Sequence, residues 1–213
     1  MFSYKKTGDI MPQSIEQKVV SRIYGNGRGW TFSQKDFAGI GARSAIDVSL
    51  HRLLVKGTIR RVLRGIYDYP KYSEKLNLEL SPDIDQVALA LARKFGWRIQ
   101  ATGPAALNLL GLSMQVMGRF AYLSDGPDRI YKIGDQELVF QHTALKETGF
   151  KLQESSLIVQ ALKSLGAGRL TPKIITAIRR YVDKDKRAKV LNDTRTATGW
   201  VHDAILKICR EDD

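Results

Sequence analysis

Three arginines fall within five consecutive positions of the chain, at Arg60, Arg61 and Arg64. A guanidinium stays charged at physiological pH, and its fork of N–H donors matches the oxygens of a phosphate. Runs of β-prone residues precede and follow Arg64-Gly65 within positions 58–70. This pattern predicts a β-hairpin with the arginines at its tip, where they would reach phosphates or a minor groove. The alternative is a solvated edge strand whose charges only prevent aggregation.

Apolar residues also recur at helical spacing between positions 45 and 56, which predicts an amphipathic helix. Its inward face carries Ile46, Leu50, Leu53 and Leu54. Its outward face carries Ser44, Val48, His51, Arg52, Val55 and Lys56. Hydrogen-bonding groups near the start of a helix and cations further along are typical of a helix that enters the major groove of DNA. An ordinary solvated helix can show the same pattern.

We therefore predict a set of nucleic-acid contacts in the first third of the chain. The set comprises Arg28, Lys35, Arg43, Ser44, Val48, His51, Arg52, Lys56, Arg60, Arg61 and Arg64. Arg52 is the best candidate for a base contact, because a guanidinium can bond to guanine O6 and N7 together. The three hairpin arginines are candidates for phosphate or minor-groove contacts.

The sequence contains little that could catalyse a reaction. The histidines lie far apart in sequence, at His51, His142 and His202. No Cys or His pair has metal-ligand spacing. Asp125 and Glu137 fit two positions of a restriction-nuclease pattern, but Val139 stands where that pattern needs a lysine. We therefore predict no catalytic residue, no metal and no cofactor, and a nucleic-acid-processing enzyme is the least favoured alternative.

The positive charge of the chain is concentrated near its beginning. The 213 residues carry a net charge of +12 and have a pI near 9.8. Residues 1–72 contain 13 Lys and Arg against 5 Asp and Glu, so they hold +8 of this charge. A localised basic region is the electrostatic footprint of a polyanionic partner. Net charge also serves solubility, which is the simpler interpretation.

Cysteine usage and hydropathy indicate the compartment. A single cysteine, Cys209, excludes an internal disulfide and an all-cysteine zinc site. No stretch reaches the roughly 18 consecutive apolar residues that a membrane helix needs. The N-terminal residues lack the apolar region of a secretory signal. We therefore predict a cytoplasmic protein that does not contact a membrane.

Three predicted helices start at a serine. In each of them, the side chain three residues later can accept a hydrogen bond from the backbone N–H of that serine. The pairs are Ser14 and Gln17, Ser33 and Asp36, and Ser44 and Asp47. A serine at the N-cap accepts hydrogen bonds from the first-turn amides. The predicted helices span residues 15–24, 33–39 and 45–56. Three helices followed by a basic hairpin predict a winged helix-turn-helix that binds double-stranded DNA, over residues 14–72.

The rest of the chain predicts a larger mixed domain over residues 73–213, and residues 1–13 are predicted to be a flexible extension. Predicted helices span 82–95, 104–110, 154–165, 172–182, 186–194 and 200–209. Predicted strands span 120–124, 129–133 and 136–141, and the short turns between them indicate an antiparallel meander. The predicted fold class is therefore α+β, with a winged helix-turn-helix followed by helices and a small antiparallel sheet.

Six segments of the chain resemble the AbiEi-type abortive-infection antitoxins, a family of transcriptional regulators in type IV toxin–antitoxin systems. The segments are SIEQ (14–17), RIYGNGRGW (22–30), KGTIRR (56–61), RGIYDYP (64–70), GPAALNLLGLS (103–113) and YLSDGP (122–127). The similarity extends over roughly residues 14–165, and it weakens after that.

This resemblance implies a function for each predicted domain. The N-terminal domain would bind and repress the promoter of its own operon, with the hairpin and third-helix cations in the family's DNA-contacting elements. The C-terminal domain would counteract a toxin of the nucleotidyltransferase type, and the two proteins would act without a tight complex. The alternatives are a winged helix that contacts protein instead of DNA, and a regulator without a toxin partner.

Overall fold

Short helices and short strands alternate along the chain, which confirms the predicted α+β class. The computed structural model describes residues 13–113, 118–143 and 150–210. The extension predicted at 1–13 therefore lies outside the described residues, apart from Gln13. The chain divides into two compact units between Ala90 and Leu91. The boundary predicted at 72–73 lies earlier, before a short ribbon that belongs to the first unit.

None of the helices in these residues has the length and apolar character that a membrane span requires.

Within the described residues, the first unit contains two helices and two small sheets. Its helices are α1, Ile15–Asn26, and α2, Arg43–Val55, with a 3₁₀ turn at Gln34–Phe37 between them. Its strands are β1, Thr31–Phe32; β2, Arg60–Leu63; β3, Ile66–Asp68; β4, Tyr72–Ser73; and β5, Leu78–Glu79. The second of the three predicted helices is therefore only a 3₁₀ turn, whereas the first and third are confirmed.

Two of the predicted serine caps are present. Ser14 Oγ accepts a hydrogen bond from the Gln17 N–H at 3.2 Å, and the Gln17 side chain accepts from the Ser14 N–H at 2.8 Å. The Asp36 carboxylate likewise accepts from the Ser33 N–H at 2.8 Å. In both places a short local pattern was enough to locate the start of the element.

The prediction of Ser44 as the third N-cap is wrong. α2 begins at Arg43, with Ala42 as its N-cap. The Ile46 N–H donates to the Ala42 carbonyl at 3.1 Å, so that Ile46 enters the core from the first turn. Burial of the apolar face, rather than a local serine, therefore sets the start of α2, and Ser44 becomes an exposed residue of its first turn.

One apolar core holds the first unit together. Its members are Val19 and Ile23 of α1, Ile46, Leu50 and Leu53 of α2, and Phe32, Phe37 and Ile59. All are at most 3% exposed. Burying a side chain of this size stabilises a protein by about 1.5–3 kcal/mol. The two helices are therefore joined by their apolar faces, and the opposite face of α2 is left to solvent.

The predicted hairpin is confirmed in β2 and β3. The strands pair antiparallel with Leu63 opposite Ile66, so Arg64 and Gly65 form the turn. Gly65 has a φ of 71°, a left-handed conformation that glycine adopts without a steric penalty. β1 pairs with the other side of β3, which ties the hairpin to the segment after α1.

Arg60 lies at the other end of the hairpin from this turn, so the prediction that all three arginines lie at the tip is wrong. Arg60 pairs with Asp68, whose side chain is 2% exposed. Its Nη2 and Nε donate to the two carboxylate oxygens at 2.6 and 3.1 Å, which raises the pKa of Arg60. Nη2 also donates to the Leu80 carbonyl. A buried carboxylate needs such a partner, so Arg60 is a structural residue.

We predict that Arg60→Ala destabilises the protein by about 3 kcal/mol, because the carboxylate of Asp68 is left buried without its partner. Arg61 is adjacent but exposed, so Arg61→Ala is the matched control and should change the free energy of unfolding by less than about 0.5 kcal/mol. Chemical denaturation of the two variants measures the difference. Equal effects would contradict a structural role for Arg60.

The second unit combines helices with a four-stranded sheet. Its helices are α3, Ile84–Phe95, in which the two units divide; α4, Gly103–Leu109; α5, Gln153–Leu165; α6, Pro172–Tyr181; α7, Arg187–Asp193; and α8, Gly199–Cys209. Its strands are β6, Ile99–Ala101; β7, Arg119–Ser124; β8, Arg129–Ile133; and β9, Gln136–His142. The elements predicted for this part of the chain are confirmed, and β6 is an additional strand.

The predicted antiparallel meander is wrong in one pairing. The strand order is β6-β7-β9-β8, so β9 lies between β7 and β8, and it runs parallel to β7. β9 buries Leu138, Val139 and Phe140 in succession, which suits a central strand covered on both faces. β8 exposes Arg129 and Lys132, which suits an edge strand. Burial of β9 therefore decides the strand order.

Two helix ends in the second unit are satisfied by side chains distant in sequence. The Asp193 carboxylate accepts from the N–H groups of Lys151 and Leu152 at 2.8 and 2.9 Å, at the start of α5. Arg179 donates to the carbonyls of Lys207 and Ile208 at 2.8 and 3.0 Å, at the end of α8. Both charges complement the helix dipole. These contacts link α5 to α7 and α6 to α8.

Gly126, which follows β7, lies directly against the Trp97 ring. A Cβ at this position would come within 2.4 Å of the ring atoms, so we predict that Gly126→Ala destabilises the protein by about 1–3 kcal/mol. Gly199 opens α8 and has no atom within 4 Å of its Cβ position. Gly199→Ala is therefore the control, and it should be neutral or stabilise by up to about 1 kcal/mol. Thermal unfolding compares the two, and a neutral Gly126→Ala would contradict the close packing.

Candidate nucleic-acid interface

The outward face of α2 exposes the side chains that the sequence predicted for it. Val48 and Val55 are 49% and 73% exposed. The side chains of Arg52 and Lys56 are 62% and 61% exposed. The other exposed members are Ser44 and His51. Hydroxyl, imidazole, aliphatic and cationic groups thus lie side by side, and such a set can contact both base edges and phosphates.

Arg52 and Lys56 share one carboxylate of α1. Glu16 Oε2 lies 3.0 Å from Arg52 Nη1, and Oε1 lies 3.0 Å from Lys56 Nζ. Hydrogen bonds from Lys56 and Arg52 hold the pKa of the Glu16 carboxyl below its ordinary value. Sequence reasoning missed this role of Glu16, because its position beside the Ser14 cap indicates only a helix start. The contact joins residues that are distant in sequence and exists only after α1 packs against α2.

The hairpin contributes Arg61 and Arg64 to the protein surface. Arg64 occupies the turn, Arg61 lies on β2, and both are exposed. The Arg61 guanidinium lies 5.9 Å from the centroid of the Tyr67 ring, a weak attraction that orients the side chain. Arg60 is held by Asp68 and does not extend this surface.

The remaining predicted contact residues are Arg28, Lys35 and Arg43, and they differ in their contacts with neighbouring residues. Arg28 donates from Nη1 to the Pro70 carbonyl at 2.9 Å, and its guanidinium lies 4.8 Å from the centroid of the Tyr69 ring. Lys35 and Arg43 are exposed. The structure therefore groups the α2 residues on one face, places Arg64 in the turn of the hairpin that follows, and holds Arg28 against its neighbours.

The residues that came nearest to a nuclease pattern lie at opposite ends of the sheet. Glu137 is opposite Arg119 at the start of β7, whereas Asp125 follows Ser124 at its end. At about 3.3 Å per residue, the two carboxylates are roughly 15–20 Å apart, too far to share a metal ion. Asp125 instead accepts from the backbone N–H and the Nε of Arg98, at 2.8 Å each. Within the described residues, no group of three His, Cys, Asp or Glu is placed to hold a metal.

A family model described as a family of unknown function (DUF6088) matches residues 18–190. The chain belongs to the DUF6088 family. The DUF6088 match includes α2, the hairpin and most of the second unit, and it ends before α8. A search among curated proteins found no match to the chain. The interface residues lie within the DUF6088 match, apart from Glu16.

The contact of Glu16 with α2 predicts a pH dependence of stability. Since the pKa of Glu16 is lowered by folding, this stabilisation is complete above the ordinary carboxyl value of 4.5 and is lost as the pH falls through the lower folded value. We predict that Glu16→Gln is less stable than the wild type near neutral pH and that the two converge in acid. Denaturant titrations over this range measure the difference. A difference that does not change with pH would contradict the contact.

Proposed function

We propose that residues 14–72 form a winged helix-turn-helix that binds double-stranded DNA, and that the protein is a sequence-specific transcriptional autorepressor and antitoxin. One observation carries the DNA-binding part: a helix with an exposed cationic face is followed directly by a hairpin with Arg64 in its turn. In this proposal α2 is the recognition helix and the hairpin is the wing.

The dimensions and the chemistry of α2 suit the major groove. Its 13 residues span about 20 Å at 1.5 Å per residue, and the groove, about 12 Å wide, admits one helix. Val48 suits the methyl group of thymine, and Arg52 suits guanine O6 and N7. Ser44, in the first turn, can bond to a phosphate or a base edge.

The hairpin and the flanking cations supply the part of binding that does not depend on sequence. Arg61 and Arg64 would contact phosphates or enter the adjacent minor groove. The net charge of +8 on residues 1–72 favours association with any duplex. Arg60 is left out of the proposed contacts, because its guanidinium neutralises the buried carboxylate of Asp68.

The antitoxin role rests on the resemblance to the AbiEi-type antitoxins. In this proposal the winged helix represses the promoter of its own operon, and the second unit counteracts a nucleotidyltransferase-type toxin without a tight complex. The same role implies a cytoplasmic location, where the operon DNA lies. It requires the protein to restore growth to cells that express such a toxin from the neighbouring gene.

The exposed valines of α2 favour one alternative, a winged helix that contacts protein. Val48 and Val55 project apolar groups from a polar face, and exposed apolar groups often mark a protein contact. A stoichiometric partner that co-purifies with the protein, together with no binding to upstream DNA, would favour this alternative.

We predict that the protein binds duplex DNA from upstream of its own gene more tightly than a scrambled duplex. If about five cations meet phosphates, log K should fall with log salt at a slope of about −4 to −5. Arg64→Ala should weaken binding to every duplex and flatten the slope by about one unit. Arg52→Ala should also relax the preference at one base pair, by about 1–3 kcal/mol. Fluorescence anisotropy at several salt concentrations measures these constants.

The matched control is Lys75→Ala, which removes an exposed cation between β4 and β5. It should leave the slope and the base preference unchanged, because this ribbon lies outside the proposed contacts. Binding of the wild type that is insensitive to salt would contradict the proposal, as would equal effects of Arg64→Ala and Lys75→Ala.

A further inference from the structure

Two aromatic rings of the second unit stack at its surface, among positively charged side chains. We infer that the outer ring, Phe95, binds an unpaired base of a single-stranded nucleic acid, and that Arg93, Lys94 and Arg98 contact the phosphates on either side of that base. The site lies wholly in the second unit and shares no residue with α2 or the hairpin. It therefore adds a second class of ligand to the duplex DNA of the proposed function.

The segment RKFGWR (93–98) brings the two rings together at the end of α3. Gly96 has a φ of 75°, a left-handed conformation typical of the residue that ends a helix. The N–H groups of Gly96 and Trp97 both donate to the Ala92 carbonyl, at 2.8 and 2.9 Å. This turn folds Trp97 back against Phe95, with 4.7 Å between the ring centroids and 24° between the ring planes.

Trp97 is fixed from its other side and therefore supports Phe95. A Cβ at Gly126 would meet three neighbouring indole atoms at nearly equal distances, so the Gly126 backbone lies over one face of the ring. Phe140, which is 1% exposed, packs against Trp97 with 5.5 Å between centroids and 66° between planes. Phe95 stacks on the remaining face and is itself 46% exposed. The stack is thus anchored in the core and ends in solvent at Phe95.

The outer face of Phe95 already attracts a cation. Lys94 Nζ lies 5.3 Å from the ring centroid, and it lies over the outer face because Trp97 covers the inner one. An exposed contact of this kind changes an equilibrium constant by about two- to five-fold. Stacking of a base on an aromatic ring changes it by about five- to 150-fold. A base can therefore replace the ammonium group, which then lies beside the phosphate of that base.

The charges around Phe95 favour a nucleic acid over an apolar partner. Residues 93–98 include three cations and no acidic residue. Asp125 pairs with Arg98, whose side chain stays 69% exposed, so a net charge of +2 remains. An apolar surface would have to desolvate these charges without pairing them, whereas phosphates neutralise them. The bases of a duplex stay stacked on each other, so only an unpaired base can cover Phe95.

Phe95→Leu tests this inference in the full chain, because leucine keeps an apolar side chain and removes the ring. Dissociation constants are measured by fluorescence anisotropy on labelled oligouridylate and oligothymidylate, each of about 12 nucleotides. We expect binding to both probes to weaken by about five- to 20-fold, with an unchanged salt slope because no charge is altered. Phe95→Tyr keeps a ring and should bind within about two-fold of the wild type.

The controls separate stacking from charge and from duplex binding. Tyr72→Leu removes a ring of similar exposure, 47%, from β4, and it should change binding to the single strands by less than about two-fold. Phe95→Leu should change binding to the upstream duplex by equally little. Lys94→Gln should flatten the salt slope on the single strands by about 0.7 units, because one phosphate contact is lost.

Photo-cross-linking locates the base directly. An oligouridylate that carries 5-iodouridine is irradiated with the wild-type protein and digested with trypsin, which cleaves after Lys94 and Arg98. Because a base stacked on a ring is held in van der Waals contact with it, we expect the nucleotide on the peptide 95–98. Phe95→Leu should abolish this product.

The outcomes separate this inference from the proposed function. Weaker binding of Phe95→Leu to single strands, with duplex binding unchanged, supports the site, and an effect confined to one probe identifies the sugar that it prefers. Equal effects of Phe95→Leu and Tyr72→Leu, or cross-links that leave the peptide 95–98 unmodified, overturn it. If the wild-type protein binds the upstream duplex but neither single strand, this inference is overturned while the proposed function stands.

Discussion

Burial of one face of α2 is the constraint on which the rest of the first unit depends. Ile46, Leu50 and Leu53 together contribute roughly 5–9 kcal/mol by leaving water, and all three belong to the core that α1 shares. A serine N-cap contributes only about 1 kcal/mol, so burial decides where the helix begins. Rotating α2 about its axis would expose these side chains and bury Arg52. Burial of the apolar face of α2 therefore determines which side chains the helix exposes to solvent.

Carboxylates then decide which of the cations are available to a partner. Arg60, Arg61 and Arg64 look equivalent in the sequence, but the buried Asp68 binds Arg60 and leaves the other two at the surface. Glu16 likewise forms ion pairs with two cations of α2. Because the two cations are exposed, a ligand can replace Glu16 in these pairs. A buried ion pair defines structure, whereas an exposed one can yield to a ligand. The net charge of residues 1–72 shows neither that Asp68 binds Arg60 nor that Glu16 binds Arg52 and Lys56.

In the second unit, too, tertiary packing rather than local sequence pattern decides how helices are capped and how strands pair. Its central helix, α5, packs against α4, β6, α7 and α8. The start of α5 is capped by Asp193, which comes from α7 rather than from the residues before the helix. The triple apolar run in β9 places that strand inside the sheet, although short turns connect it to β8 and β8 to β7. The DUF6088 match covers parts of both units, so the family combines them in one chain.

The sequence by itself determined the elements: the apolar stripes of α1 and α2, the caps at Ser14 and Ser33, and the hairpin turn at Arg64. Each of these signals is local, because helical and strand periodicities and turn residues act within a few positions. Only the tertiary structure decided the order of β7, β9 and β8, the ion pair of Arg60 with Asp68 and the contact of Arg52 with Glu16. The Arg52–Glu16 contact joins residues 36 positions apart, and a pairing at that distance leaves no periodic trace in the sequence. The sequence therefore named most residues of the candidate interface, but it missed Glu16 and wrongly included Arg60, because both of their contacts form only when distant residues pack together.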